Sequence, residues 1–549
     1  MTQTVHQLFS ESARRWPQRP FVAVLAETAD AYGIDAGERT YGATLARIEA
    51  LSGAYAAAGY GNGHRVGLLL ENRPAFFEHW FALNALGVSV VPINQDLRAA
   101  ELEYLIGHSE IALAVALPSR HADLQAAAAR VGRPFETMAP DGASSGAIPR
   151  AAFGAPRAGQ PPDASTEAAL LYTSGTTGRP KGCILPNRYF LLAGHWYASI
   201  GGLAGLRTTG ERMLTPLPLV HMNAMAYSAM AMVATGGCLI VLDRFHPRTW
   251  WASVRASRAT IVHYLGVMPA MLMKAEACAD DREHAVRFGF GAGVDRALHA
   301  PFEQRFGFPL LEAWAMTETG AGAVVIANRE PRHIGSHCFG REEGDVRVRI
   351  VADDGAEAGV DQPGELLVRH AGADPRDGFF AGYLKDPEAT EAAWAGGWFH
   401  TGDVVRRDAG GHLHFVDRKK NVIRRSGENI SAVEVESVLL QIAGVKAVAV
   451  AAVPDPVRGD EVLACVVVDG EAASAALASK ACFAADVVQA CLARLAYFKA
   501  PGYVAFMDRL PLTSTIKIQR GELKALAQAV LGGPHCYDTR SLKKRPEPS

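Results

Sequence analysis

A chain of 549 residues is too long for a single hydrophobic core, so we expect two or more domains. Its formal net charge of -2 gives no overall attraction to nucleic acid or to anionic lipid, so any phosphate binding must be local. The eight cysteines are scattered singly, without zinc-ligand spacing, which is typical of buried thiols in a reducing cytoplasm. No apolar run reaches membrane-spanning length, and the amino terminus predicts an amphipathic helix rather than a secretion signal.

In the amino-terminal part of the chain, short apolar or β-branched runs alternate with longer helical patterns, which indicates an α/β fold. Predicted strands lie at 65–70, 88–93, 237–242 and 260–264, and predicted helices at 74–86 and 249–258. Residues 118–163 are rich in Ala, Gly, Pro and Ser and predict a less ordered connection. From about Gly364 onward, alternating patterns favour strands.

A smaller α/β pattern follows the basic stretch at 418–421. It predicts helices at 432–441 and 484–495, with strands at 445–453 and 461–468. We place a domain boundary at Lys420, which gives an amino-terminal domain of residues 1–419 and a carboxy-terminal domain of residues 420–535. Residues 536–549 are interpreted as a frayed polar tail.

The most informative segment is the loop at 171–182, LYTSGTTGRPKG, which follows an apolar run. Its glycines let backbone N–H groups turn toward an anion, its hydroxyls add donors, and Lys181 adds a mobile positive charge. The spacing differs from the Walker pattern, so a P-loop NTPase fold does not follow from it. By itself the segment is equally compatible with a phosphate-binding loop and with a plain linker.

Five further motifs follow this loop in order along the chain. They are WAMTE at 314–318, GWFHTGD at 397–403, DRKK at 417–420, SGENI at 426–430 and LTSTIKIQR at 512–520. Together with the loop they resemble the motifs of the adenylate-forming superfamily, which includes acyl- and aryl-CoA synthetases, nonribosomal peptide adenylation domains and firefly luciferase. Within that superfamily, the carboxy-terminal half most resembles crotonobetaine/carnitine-CoA ligases.

This resemblance implies an α/β fold with a large amino-terminal domain of layered α/β subdomains and a small mobile α+β carboxy-terminal domain. It also implies a carboxylic acid:CoA ligase that uses ATP, Mg²⁺ and coenzyme A. Such an enzyme forms an acyl-adenylate and pyrophosphate, and then an acyl-CoA thioester. The acid must be activated first because oxide is a poor leaving group, and the barrier to attack on the α-phosphorus is largely electrostatic.

The resemblance assigns catalytic roles to four residues: Lys517, Glu318, His221 and Thr173. Lys517 is the expected adenylation lysine, which neutralises charge between the carboxylate and the α-phosphate. Glu318, with Thr173, is the expected Mg²⁺ site, since one carboxylate suits a magnesium ion that keeps most of its waters. Similar enzymes have glycine before the lysine, whereas this chain has Ile516, so the loop backbone is expected to differ there.

The nucleotide site that the resemblance implies combines the phosphate loop with four other parts of the chain. Asp403 is expected to accept hydrogen bonds from both ribose hydroxyls, and Arg418 to support the same nucleotide. Trp314 replaces the usual tyrosine as a flat face for stacking on adenine. The full set is Thr173, Ser174, Gly175, Thr176, Thr177, Gly178, Lys181, Gly291, Ala292, Gly293, Trp314, Ala315, Met316, Thr317, Asp403 and Arg418.

The second half-reaction needs a thiol to approach from a direction that the adenylation lysine would obstruct. In similar enzymes the small domain swings about one hinge residue, which corresponds to Lys420 here. After that swing, Ser426, Gly427 and Glu428 would bind the CoA pantetheine. The basic pair at 424–425 is either a solvated face or a contact to the CoA 3′-phosphate.

By the same resemblance, His221 lies beside the reacting carboxylate, and Asn223, Tyr227 and Met268 shape the acyl pocket. The large side chains favour a small or medium acid over a long acyl chain. A carnitine-like trimethylammonium group would need an aromatic or acidic cradle, for which Tyr227 and Tyr264 are candidates.

Two alternatives stay open at the level of sequence. An adenylating enzyme that loads a carrier-protein phosphopantetheine is disfavoured by the Ser-Gly-Glu-Asn loop and by the lack of an appended carrier segment. A nucleotide-binding regulatory protein without catalysis is kept open by Ile516. The expected partners are a small carboxylic acid, ATP and CoA, with no nucleic acid and no integral membrane segment, and a homodimer is compatible with the sequence.

Overall fold

The protein is represented by a computed structural model that describes residues 3–97, 99–141, 148–151, 161–173, 180–352, 354–419, 421, 423–425, 428–455, 458–469, 480–495, 497–512 and 518–543. These residues form two compact units. The larger unit contains the described residues before 349 together with 368–399, and the smaller contains 349–367 and those from 400 onward. The predicted boundary at Lys420 lies within the smaller unit and stays a prediction.

An eight-stranded sheet forms one layer of the larger unit. Its strands, in spatial order, are Val325–Ile326, Leu310–Trp314, Phe288–Gly291, Ile261–His263, Arg212–Thr215, Cys238–Val241, Pro20–Val24 and Gly37–Thr40. The inner strands run parallel and the two edge strands are antiparallel. The apolar run at 238–241 is buried throughout, as expected for a strand in the interior of a parallel sheet.

A second, seven-stranded sheet belongs to the same unit. Its strands, in spatial order, are Gly382–Tyr383, Lys181–Pro186, Glu167–Thr173, Ser89–Pro92, Arg65–Leu69, Leu113–Ala116 and Thr137–Met138. The strands Glu167–Thr173 and Lys181–Pro186 pair antiparallel, and their register places Thr173 opposite Lys181. The two ends of the predicted phosphate loop are therefore fixed by sheet hydrogen bonds.

Helices complete the larger unit, together with the strand Cys338–Arg341. The α-helices are Val5–Arg15, Ala26–Tyr32, Tyr41–Ala57, Pro74–Ala85, Ala99–Ser109, His121–Arg130, Asn187–Ser199, Ala229–Thr235, Trp250–Ser257, Val267–Met273, His299–Phe306 and Pro387–Ala393. The 3₁₀ turns are Pro118–Arg120, Gly202–Ala204, Ala279–Arg282, Gly320–Gly322 and Ala395–Gly397, and Asn223–Ser228 is a π-helix. Pro74–Ala85 is buried on all sides, as its apolar sequence predicts.

The strands Val346–Val351, Gly364–His370, Phe399–Arg407 and His412–Arg418 lie side by side in that order, and the first three contain residues of both units. The last two pair antiparallel with Asp403 opposite Arg418. This pairing brings together two side chains that are fifteen positions apart in the sequence.

The carboxy-terminal part of the smaller unit is built on a six-stranded sheet. Its strands are Glu428–Ile430, Ile423–Arg425, Gly459–Val468, Tyr503–Phe506 and Cys536–Asp538, with Val445–Asp455 also paired to Gly459–Val468. Its helices are Ala432–Leu439, Lys480–Leu492 and Arg520–Val530, with a 3₁₀ turn at Arg540–Leu542. Alternate residues of Val445–Asp455 enter two apolar clusters, because successive strand side chains point to opposite faces of a sheet.

Three sequence-based expectations need correction. The segment 118–163 is not merely a loose connection, because its alanine-rich stretch forms the helix His121–Arg130 and is followed by the strand Thr137–Met138. The stretch from residue 536, predicted as a frayed tail, contains a strand, since Cys536–Asp538 pairs with Tyr503–Phe506. The cysteines are not all buried either, because Cys278 and Cys482 are exposed.

Candidate active site

The candidate site of the larger unit begins at the carboxyl ends of the parallel strands in the eight-stranded sheet. The adjacent parallel strands Arg212–Thr215, Ile261–His263, Phe288–Gly291 and Leu310–Trp314 all end on this side. Ligands of open α/β sheets bind outside the carboxyl ends of the strands. The segments that follow these strands carry His221 and Asn223, Gly291 to Gly293, and Trp314 to Glu318, so the fold brings several separate sequence motifs to a single edge.

Glu318 lies in the turn after the strand Leu310–Trp314 and is 7% exposed. Its backbone carbonyl accepts a hydrogen bond of 2.9 Å from the Phe380 amide, which fixes the turn. The Tyr383 hydroxyl donates a hydrogen bond of 3.1 Å to Glu318 Oε1. Burial and the Glu318 charge raise the pKa of Tyr383, so the phenol stays protonated and remains a donor.

Cys183 connects this turn to the strands that flank the predicted phosphate loop. It lies opposite Leu171 in one neighbouring strand and opposite Tyr383 in the other. Its thiol is close enough to the Thr173 and Glu318 side chains for both to influence it electrostatically. Burial, followed by the Glu318 charge, raises the pKa of the Cys183 thiol, so it is a neutral neighbour of the carboxylate.

Lys181 supplies the positive charge of this group. Its Nζ lies 4.6 Å from the centre of the Tyr383 ring and 3.9 Å from Asp386 Oδ2. The structure thus brings together Thr173, Lys181 and Glu318, which were predicted from sequence, with Cys183 and Tyr383, which were not. The sequence signal for Tyr383 was weak, because an isolated tyrosine close to a lysine is an ordinary surface pattern.

The donor set at this point suits a hard divalent cation. A buried carboxylate with one oxygen held by a phenol has further lone pairs available, and a threonine hydroxyl lies in the same group. Mg²⁺ prefers oxygen ligands and keeps several of its waters, so one protein carboxylate is enough when phosphate oxygens provide the rest. The residues present therefore fit the predicted magnesium site.

The expected adenine site is shaped by small residues after the strand Phe288–Gly291. A Cβ on Gly291 would lie 2.3 Å from the Tyr264 carbonyl oxygen, so only glycine fits there. Gly293 has a φ of +81°, which favours glycine for conformational reasons. The next amide, that of Val294, donates a hydrogen bond of 2.7 Å to buried Glu312, which fixes the end of this segment.

The segment after the next strand carries the expected stacking residue. Trp314 is 7% exposed, and its ring lies 6.2 Å from that of Phe339. Ala315, Met316 and Thr317 are half-buried, and the Met316 amide donates to the Thr319 hydroxyl at 3.0 Å. This segment has the partial exposure that a ligand-binding wall requires.

The expected acyl-pocket residues divide into two groups. His221 is exposed, and Asn223 begins the π-helix, a form that occurs frequently at functional sites. Tyr227, in the same π-helix, donates a hydrogen bond of 2.9 Å to the Gly320 carbonyl. Met268 instead lies in an apolar core cluster with Tyr264.

In the smaller unit, Asp403 is 1% exposed and lies 2.8 Å from the Arg418 guanidinium. The neighbouring Gly402 amide donates to Glu365, whose other carboxylate oxygen accepts a hydrogen bond of 2.8 Å from Lys419. Asp403 and Arg418, which were each predicted to contact the nucleotide, form an ion pair with each other within a local network of opposite charges.

The basic pair at 424–425 needs a correction. Arg425 is buried and donates to Glu461 at 2.9 Å, so it is not available as a solvated contact for CoA. Lys543 Nζ donates a hydrogen bond of 2.6 Å to the same buried carboxylate. Successive side chains of a β-strand point to opposite faces of the sheet, and the Arg425 side chain points into the interior of the domain.

Several predicted positions lie outside the described residues. These are Ser174, Gly175, Thr176, Thr177, Gly178, Lys420, Ser426, Gly427 and Lys517. Glu428 begins the strand Glu428–Ile430. The roles predicted for all of these positions stay predictions.

Among the described residues, no helix has both the length and the apolar character to cross a bilayer.

Known proteins resemble this chain both in sequence and in structure. The AMP-binding enzyme family matches residues 9–384, and the AMP-binding enzyme C-terminal domain matches residues 434–517. The chain is 33% identical to sulfoacetate–CoA ligase of Cupriavidus necator, over 95% of this chain and 97% of that protein. It is 30% identical to crotonobetaine/carnitine–CoA ligase of Shigella flexneri, over 85% of this chain and 89% of that protein. The crystal structure of ATP-bound MatB from Rhodopseudomonas palustris is similar with a TM-score of 0.78 and 25% identity, covering 96% of this chain and 100% of that chain.

Proposed function

Since the chain belongs to the AMP-binding enzyme family, in its adenylate-forming acyl-CoA synthetase branch, we propose that it is an ATP-dependent carboxylic acid:CoA ligase. The enzyme first joins the acid to AMP with release of pyrophosphate, and then transfers the acyl group to the CoA thiol. The observation that carries the proposal is the group formed by Glu318, Tyr383, Thr173 and Lys181 at the base of the phosphate loop.

Adenylation concentrates negative charge, because a carboxylate must approach a triphosphate. Bound Mg²⁺ would neutralise part of that charge and orient the phosphate oxygens. Glu318 and Thr173 would hold the ion, and Lys181 with the loop at 174–178 would bind the β- and γ-phosphates. Lys517 would lie between the carboxylate and the α-phosphate, where charge develops in the transition state.

The rest of the nucleotide would be bound by residues that supply surface rather than charge. Trp314 would stack on adenine beside Gly291 to Gly293, with Ala315 to Thr317 continuing the wall. Asp403 would accept hydrogen bonds from the ribose hydroxyls, with Arg418 keeping its carboxylate ionised and oriented.

Thioester formation requires the removal of Lys517 from the path of the thiol. We propose residues 1–419 and 420–535 as the two domains and Lys420 as their hinge. After the rotation, Ser426, Gly427 and Glu428 would bind the pantetheine. His221 would lie beside the reacting carboxylate in both steps.

The proposed substrate is a small or medium carboxylic acid, because Asn223, Tyr227 and Met268 would shorten the acyl pocket. The relatives named for sulfoacetate and for crotonobetaine or carnitine support a short acid with a polar group. We also propose that the enzyme works in the cytoplasm, where ATP and CoA are available, and that it forms a homodimer. Size-exclusion chromatography with light scattering tests the homodimer.

The function is tested by measuring pyrophosphate release with ATP, Mg²⁺ and a panel of short carboxylic acids, and then by adding CoA. Acid-dependent pyrophosphate release followed by CoA thioester is expected. Release without thioester would instead identify a carrier-loading enzyme, and ATP binding without release for any acid would identify a regulatory protein.

A variant of the metal site links this activity to the structure. Glu318→Gln should lower pyrophosphate release by roughly 100-fold or more, as for loss of one preorganised charged group. Glu388→Gln is the matched control, because Glu388 is an exposed glutamate of the same unit. Equal activity of the two variants would contradict the role proposed for Glu318.

A further inference from the structure

His263 is a buried polar residue in the middle of an apolar environment, and none of the motifs accounts for it. It ends the strand Ile261–His263 at the carboxyl edge of the eight-stranded sheet, and it is fully buried. Its ring stacks on Phe290 with centroids 4.8 Å apart and on Tyr197 at 5.8 Å. A buried imidazole in such a place requires a partner for each ring nitrogen.

Both nitrogens of His263 have partners. Nε2 lies 3.1 Å from the Tyr197 hydroxyl, while Nδ1 lies 2.8 Å from Asn223 Oδ1 and 2.9 Å from the Ser228 hydroxyl. Burial lowers the pKa of His263 to about 3, so the ring is neutral and carries a single proton.

The hydrogen-bond partners decide which nitrogen carries this proton. Tyr197 is fully buried, and among the described residues its hydroxyl has only His263 Nε2 as an acceptor. Since the phenol must donate there, the imidazole proton is on Nδ1. Nδ1–H then donates to Asn223 Oδ1 and the Ser228 hydroxyl, and that hydroxyl donates to the Asn223 carbonyl at 3.3 Å.

This network fixes the orientation of the Asn223 amide. With Oδ1 engaged by His263, the Nδ2 group carries two N–H donors on the opposite side of the amide. Asn223 is half-buried, and within the described part of the chain no hydrogen-bond partner accompanies its Nδ2. It follows the strand Arg212–Thr215, the sheet neighbour of Ile261–His263, and it is two positions from exposed His221.

We propose that the Asn223 amide binds an oxygen atom on the acid substrate distant from its reacting carboxylate, and that His263 is the positioning residue that holds this amide in its donor orientation. The substrate class is therefore a short carboxylic acid that carries a second oxygen group, such as a hydroxyl, a carbonyl or an anionic oxygen. This inference rests on the proposed ligase function and specifies its substrate.

The test compares matched acids of the same chain length in the pyrophosphate-release assay. The pairs are butyrate with 3-hydroxybutyrate, butyrate with acetoacetate, and propionate with malonate. The wild-type kcat/KM should favour the oxygen-bearing member of at least one pair, and the pair with the largest preference shows which kind of oxygen is bound. An active enzyme that favours the hydrocarbon acid in every pair would overturn the inference while leaving the ligase function intact. Absence of release with every acid would instead refute the ligase function itself.

Three variants then test whether Asn223 and His263 cause this preference for the oxygen-bearing acid. Asn223→Ala should lower the ratio of kcat/KM between the preferred pair by about tenfold, the effect of one lost hydrogen bond. His263→Leu should lower the same ratio through a higher KM for the oxygen-bearing acid. His263→Asn keeps an amide N–H near the Nδ1 position and should restore part of the ratio. The ratio is insensitive to a general loss of folded protein, and thermal unfolding of each variant confirms that it is folded.

Thr235→Ala is the matched control, because Thr235 also makes a local side-chain hydrogen bond, to the Ala231 carbonyl, in the adjoining helix. It should leave the ratio unchanged. An unchanged ratio in Asn223→Ala would show that the amide does not bind the substrate. A ratio that falls equally in His263→Leu and His263→Asn would show that the imidazole does not act through its Nδ1 donor.

Discussion

The Tyr383 hydroxyl donates a hydrogen bond of 3.1 Å to Glu318 Oε1, across 65 positions of the sequence. The contact forms because Tyr383 is in the edge strand that pairs with Cys183, and Glu318 is in a turn held by the Phe380 amide. One oxygen of the proposed magnesium ligand is thereby fixed by a neutral donor. The carboxylate is oriented without losing its charge.

Tyr383→Phe should therefore weaken metal-dependent adenylation without abolishing it. Loss of one hydrogen bond to a charged acceptor corresponds to about 1.5–3 kcal/mol, or roughly a 10- to 100-fold lower rate at limiting Mg²⁺. The measurement is pyrophosphate release as a function of Mg²⁺ concentration, with a higher half-saturating concentration expected. Tyr32→Phe is the control, since the Tyr32 hydroxyl donates to the Asp243 backbone carbonyl at 3.3 Å and therefore supports backbone rather than a carboxylate. An unchanged Mg²⁺ dependence would contradict the orienting role of Tyr383.

Lys517→Ala should abolish formation of the acyl-adenylate while sparing thioester formation from supplied acyl-AMP. The reason is that its charge is needed only where negative charge develops at the α-phosphate. Each half-reaction is measured separately, by pyrophosphate release and by CoA thioester formation. Lys524→Ala provides the comparison, because Lys524 is an exposed lysine of the helix Arg520–Val530. Equal loss of both half-reactions would refute the role given to Lys517.

Lys420→Pro should restrict the backbone at the proposed hinge and slow the overall reaction, because proline fixes φ near −65° and the rotation requires a backbone change. Single-turnover kinetics should show that one half-reaction is retained and the other is lost. Normal steady-state turnover in this variant would exclude a hinge at that position.

The buried cluster of Lys543, Glu461 and Arg425 predicts a pH effect on stability. Burial lowers the pKa of Lys543 from 10.5 to about 8, so the unfolded chain holds this proton more tightly than the folded one. Between about pH 8 and 10.5 the unfolded state binds more protons at Lys543 than the folded state does. The contribution of Lys543 to folding stability therefore rises with pH in this range. Below pH 8 that contribution is at its lowest.

Lys543→Met should remove this contribution and flatten the pH dependence of unfolding. The measurement is the urea midpoint for unfolding of the smaller unit in the full-length protein. It is determined by pulse proteolysis at pH 7.5 and at pH 9.5. Lys524→Met, at an exposed position, should keep the wild-type slope. Equal slopes for wild type and Lys543→Met would contradict the shifted pKa.

The order of motifs along the chain was enough to predict the family and the α/β architecture. The strands at 65–69 and 238–241 and the helix Pro74–Ala85 lie where the periodicity placed them, because apolar runs of these lengths leave few other ways to bury their side chains. The helix His121–Arg130 was missed, because proline on both sides and a glycine after it hid a short alanine-rich run.

The sequence by itself determined the family, and it predicted which segments carry the chemistry: the glycine and threonine loop, the acidic turn at Glu318 and the Asp403 motif, whose residue types suit phosphate, metal and ribose. Only the tertiary structure decided which side chains support them. Tyr383 contacts Glu318 through the pairing of two strands, and His263 contacts Asn223 through the alignment of parallel strand ends. Such contacts depend on sheet register and on the closure of long loops, and neither leaves a local pattern in the sequence.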